Sequence, residues 1–159
     1  MQPKVNIAVV SAILFFAATP IMNAMPRKDS ADDPEARPPV AKADLKIVRR
    51  AREILNDPAH WNRADTRTCP DDATTFSLYC ALEKATKEVT GSFQHRGAAM
   101  QEARFAIDEI APHHQQYHHR LMDYNNDPST TFADIQKVLE LIENHITKRL
   151  REESAITKH

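Results

Sequence analysis

The stretch Thr74–Gly91, TTFSLYCALEKATKEVTG, constrains the fold more than any other part of the chain. On a helical wheel Leu78, Ala81, Leu82, Ala85 and Val89 share one side, and Phe76, Tyr79 and Cys80 fall largely on the other. For two turns such a helix is apolar nearly all round, so it must be wrapped by neighbours rather than lie on a surface. The stretch predicts a buried central helix over about 74–90, ended at Gly91. Composition agrees. Two glycines in 159 residues are too few for a strand-rich fold or for Gly-rich phosphate loops, and the ten prolines lie outside the periodic stretches.

The flanking segments supply partners for that helix. Leu45, Val48, Ala51 and Leu55 mark a first helix over about 41–55, stopped by Asn56-Asp57-Pro58. Trp61 follows in a loop and is expected to plug an edge of the core. Asn62–Asp72 reads as a polar loop, with Asp71 or Asp72 available to cap the central helix. Ala99, Met100, Ala103, Ala106, Ile107 and Ile110 mark a third helix from about Ser92 to Ala111, with small residues that permit close approach. A short fourth helix is expected over His113–Asp123, then a loop over Tyr124–Ser129. Thr131 and Asp134 form a capping-box pattern. It opens a last helix with a stripe of Phe132, Ile135, Val138, Leu139, Ile142, Ile146 and Leu150. The expected fold class is all-α, a compact array of four or five helices.

The N-terminus has a different character. Met1–Ala24 places Lys4 before an uncharged, mostly apolar run, the layout of a secretory signal peptide cut after Ala24. A single N-terminal membrane anchor is the alternative, since about twenty apolar residues can span a bilayer. Residues 25–40, rich in proline and mixed charge, read as a disordered linker. The helical domain then covers 41–150, and the charged tail 151–159 is expected to fray. The formal net charge of −1 gives no basic excess for nucleic-acid binding.

Cys69 and Cys80 are the only cysteines. In an exported chain a bond between them is plausible, because Cys80 faces away from the main stripe toward the preceding loop. Closing a ring of about twelve residues contributes roughly 3 kcal/mol in the chain-entropy model. Two separate buried thiols are the competing reading.

Three stretches could carry chemistry. In His113-His114-Gln-Gln-Tyr-His118-His119, His114 and His118 would share one face of a helix and form half of a divalent-metal site. The bland reading is a polar helix surface that titrates near neutrality. Asp123-x-Asn125-x-Asp127, followed by Asp134, places oxygen ligands at the first, third, fifth and twelfth positions of a calcium-loop spacing. Pro128 stands where that loop needs glycine, and Asp134 is one methylene shorter than the usual glutamate. The same residues are ordinary turn formers and caps. Thr130-Thr131 could hold a phosphate at a helix start, but no Lys or Arg stands next to them and capping is the favoured reading. No Gly-x-Ser-x-Gly elbow or haem-attachment motif occurs, which weakens an enzyme reading.

Tyr79-Cys80-Ala81-Leu82 with Ala85, and Tyr124-Asn-Asn-Asp127-Pro-Ser-Thr-Thr131-Phe-x-Asp134-Ile, resemble a family of small uncharacterised bacterial and phage proteins. That family has a Cys-Ala helix and an Asn-Asp-x-Pro/Ser-Thr-Thr start to its last helix. The resemblance covers about residues 45–146. It implies a helical fold and no site or activity. The signal segment and Cys69 depart from it.

The sequence therefore predicts a helical binding or structural module, secreted or periplasmic, with an unknown protein partner possible and no cofactor. The alternative is a metal-binding protein or metal-dependent enzyme using His113–His119 and Asp123–Asp134.

Overall fold

A computed structural model describes residues 36–156. Residues 1–24, read above as a signal peptide, and the expected linker through residue 35 lie outside the described residues, as do 157–159. The described chain is all-helical: α1 (Lys42–Ile54), α2 (Leu78–Thr90), α3 (Ala98–Ile110), α4 (Arg120–Asn126) and α5 (Phe132–Ile156). Two 3-10 turns, Pro58–His60 and His114–Gln116, lie between them. Among the described residues there is no strand, only an isolated bridge between Trp61 and Phe76.

The central helix is enclosed as its composition requires. Leu78, Tyr79, Cys80, Ala81 and Leu82 are five consecutive buried residues. α2 packs on α1 and α4, and α1 in turn packs on α5 and α3. Gly91 ends α2 with φ +80°, in the left-handed region that a side chain disfavours. α2 starts at Leu78 rather than near Thr74, and Ser77, not Asp71 or Asp72, caps it by accepting from the Cys80 amide at 3.1 Å. The reason lies in Phe76. Its amide donates to His60 O at 2.7 Å, and its carbonyl accepts from Asn62 at 3.0 Å, which holds the chain extended up to the cap.

Two further boundaries differ from expectation. α3 begins at Ala98, because Phe93 turns back to meet the Tyr79 ring edge-on at 5.9 Å and the chain then turns before Gly97. The expected helix over His113–Asp123 does not form. The Asp123 carboxylate instead accepts from the amides of His118 and His119 at 2.7 and 2.8 Å, and α4 starts after them. α4 then continues through Asn126, into what looked like loop.

α3 and α5 pack together around an enclosed carboxylate. Glu102 is fully buried and paired with Arg149 at 2.7 Å, with His145 at 3.4 Å. Arg149 also donates to Pro38 O at 2.9 Å, and Gln101 to Ala36 O at 2.8 Å. Arg37 lies 4.0 Å over the Phe105 ring. Ala36–Val40, at the end of the stretch read as a linker, thus runs along these helices, and Val40 is buried. Thr131 and Asp134 make the expected capping box, with Thr131 Oγ1 to Asp134 Oδ2 at 2.6 Å and the Asp134 amide to Thr131 Oγ1 at 3.3 Å. α5 extends to Ile156, with its last turns exposed.

Candidate functional site

The six residues proposed as metal ligands are not brought together. His114 lies in a 3-10 turn with its Nδ1 on Ala111 O at 2.8 Å, while His118 lies beyond it in an exposed loop, so the two do not share a helix face. Asp123 is spent on the amides before α4. Asp127 accepts from Ser129 N and Oγ and from the Tyr117 hydroxyl, and these donors hold its carboxyl below the usual range. Asp134 is likewise lowered by its bonds from Thr131. Among the described residues no group of three or more His, Cys, Asp or Glu side chains is placed to hold a metal.

Asn125 has a different role from a ligand. It is fully buried, and its Oδ1 accepts from Trp61 Nε1 at 2.9 Å and from the Leu78 amide at 3.0 Å. Its Nδ2 donates to Asn62 O at 3.0 Å and to Asn126 Oδ1 at 3.3 Å. One side chain thereby ties α4 to the start of α2 and to the loop at 62–77.

That loop carries the first residue of a different site. Cys69 and Cys80 are disulfide-bonded, which staples the loop to α2. Asn126 brackets Asp65, accepting from its amide at 2.7 Å and donating to its carbonyl at 2.8 Å. Asp65 Oδ1 in turn accepts from the Arg67 amide at 2.6 Å. Arg67 sits at φ +60°, the one non-glycine in the left-handed region among the described residues. Such a conformation costs of order 1 kcal/mol and persists only where the surroundings hold it. Here they aim the guanidinium at the Tyr79 ring, 5.8 Å away, and at His119 Nδ1, 3.3 Å away.

Arg67 lines a cavity of about 230 Å³ with Arg96, Arg104 and Arg120, and with His95, His118 and His119. Tyr79, Leu121 and Met122 complete the wall. No acidic side chain lines it. The arginines come from four places: the stapled loop, the turn before α3, α3 itself and the start of α4. Arg104 is the most constrained, donating to the carbonyls of His95 and Met100 at 3.2 and 3.1 Å and to Gln101 Oε1 at 2.6 Å. Burial, with Arg96 and Arg120 nearby, brings its pKa down to about 10. Like charges this close repel in a partly dehydrated space, and an anion would relieve the repulsion.

Burial and then the charges of Arg104, Arg67 and Arg96 lower the His95 pKa below 6.5, with only Glu83 opposing. A histidine lowered in the folded state contributes stability above its unfolded pKa, and loses it as pH falls through the folded value. We expect the His95 ring to titrate below 6.5 in a proton NMR titration. A midpoint at or above 6.5 would mean that the arginine field does not reach it.

No spacing in the sequence marks the arginines of this site as a group. Its charged residues lie in four unconnected stretches, at 67, 95–96, 104 and 118–120, and of these only His118 and His119 fall in a stretch that the spacing of the sequence singles out. No helix among the described residues is long and apolar enough to cross a membrane. No curated protein and no solved structure matches the chain. A family described as being of unknown function, DUF6197, matches residues 39–144, from just before α1 to the middle of α5. The chain belongs to the DUF6197 family.

Proposed function

We propose that this protein is an exported binding module whose ligand is a small anion held in the arginine-lined cavity. The observation that carries the reading is the convergence of four arginines on one cavity that no acidic side chain lines. Export is supported by the apolar run after Lys4 and by the Cys69–Cys80 bond, which persists in oxidising compartments. Stapling the loop places Arg67 at the cavity before any ligand arrives, so less ordering is needed on binding.

Titrating the whole chain with sulfate in low-salt buffer tests the reading. Saturable amide shifts are expected at His95, Arg96 and Arg104. The double variant R67Q/R96Q, both sites being exposed, should weaken sulfate binding roughly tenfold or more, as expected for loss of charge-assisted bonds. Shifts that are absent, or identical in the double variant, would remove the cavity as an anion site.

A further inference from the structure

Resting on the anion-site reading, we infer that the cavity takes the dianionic tetrahedral end of a phosphomonoester.

The hydrogen-bond pattern supplies the first argument. Arginine only donates, so His95 Nε2, 3.0 Å from Arg104 Nη2, must be an acceptor. A neutral His95 then carries its proton on Nδ1, which lies 3.5 Å from the Tyr79 hydroxyl. The phenol oxygen accepts there, and its own hydrogen remains to be given to a ligand. His119 Nδ1 accepts from Arg67 by the same logic, which leaves its Nε2 as a donor. The wall therefore presents donors to a bound group and asks for a ligand that only accepts.

Charge and shape narrow the class. Asp108 answers Arg120 at 3.2 Å, whereas Arg67, Arg96 and Arg104 have no carboxylate partner among the described residues. A single negative charge leaves most of that excess standing; a dianion offsets more of it. Donors that come from four segments suit oxygens pointing in several directions, as on a tetrahedral centre, better than the two coplanar oxygens of a carboxylate. Among ester end groups, a phosphate monoester is dianionic near neutrality, with a second pKa of about 6. A sulfate ester of the same shape carries one charge less. Leu121 and Met122 offer an apolar edge for the ester's organic part. At about 230 Å³ the cavity is smaller than the roughly 300–1,000 Å³ that encloses a drug-sized ligand. It therefore holds the end group and leaves the remainder outside.

The test compares methyl phosphate, methyl sulfate and acetate by calorimetric titration of the whole chain at a pH of about 8. Methyl phosphate should bind on the order of tenfold tighter than the other two. Both Y79F and R96Q should narrow that preference while leaving the far-UV spectrum unchanged. Phosphatidylcholine vesicles with and without phosphatidic acid separate the sources: retention only on the acidic vesicles assigns a lipid headgroup, and binding of methyl phosphate without retention assigns a soluble ester. Equal affinity for methyl phosphate and methyl sulfate overturns this inference, and the anion site still stands if sulfate ion shifts the cavity residues. No response to any of these anions, sulfate ion included, overturns both.

Discussion

Replacing Asn125 with alanine is expected to destabilise the fold by about 3–4 kcal/mol. All four hydrogen-bonding capacities of that amide are in use, and three of its partners belong to segments far away in sequence. Truncation leaves the buried Leu78 amide without an acceptor, and strands the Trp61 indole N–H and the Asn62 carbonyl. An abandoned buried group costs about 1–3 kcal/mol, toward the lower end where water can enter, as at half-buried Trp61 and Asn62. Asn125→Asp keeps the two acceptor contacts but turns a second oxygen toward Asn62 O and Asn126 Oδ1. It adds a buried charge as well, so it should be at least as damaging at neutral pH. Urea unfolding followed by circular dichroism measures both. A loss under about 1 kcal/mol for Asn125→Ala would show that the surrounding loop repacks without its anchor.

Removing the disulfide should have the next largest effect. The C69S/C80S variant is expected to lose about 3 kcal/mol, because the cross-link withdraws loop-closure entropy from the unfolded chain. The loop at 62–77 has other ties. Asn126 holds Asp65, the Phe76 amide bonds His60 O, and Arg63 donates to the carbonyls of Asp127 and Pro128. The variant should therefore fold, yet hold Arg67 less firmly and bind sulfate more weakly than the parent. An unfolding midpoint unchanged by reductant would mean that those ties alone fix the loop and that the cross-link adds nothing to them.

The helical fold was largely legible in the sequence because burial periodicity is a local property. The all-round apolar turn at Leu78–Leu82, the stripe of α5, the Gly91 stop and the Thr131–Asp134 cap each depend on residues a few positions apart. Boundaries shift where a side chain or a neighbouring segment competes with the helix for the backbone. Trp61 and its neighbours hold Phe76 extended, Tyr79 draws Phe93 out of α3, and the Asp123 side chain holds the amides of His118 and His119. The candidate site was not legible, for the same reason on a larger scale. Arg67, Arg96, Arg104 and Arg120 share no spacing, and a strained backbone and a disulfide bring the first of them to the others. Of the histidine run, His118 and His119 line the cavity beside Arg120, whereas the acidic spacing assembles no ligand set among the described residues. The fold uses those carboxylates as caps and turn anchors.

The alanines of α3 limit how this helix can change over time. Ala99, Ala103 and Ala106 are buried where α3 meets its neighbours, and α5 brings Ile135, Leu139, Ile142 and Ile146 to the same core. A methyl group is all that such positions accommodate, and each added methylene would have to push a helix aside. Substitutions that enlarge one of these alanines in a descendant protein should therefore arrive together with a shortened side chain on a facing helix. The paired exchanges would trace the seam between the helices without any coordinates.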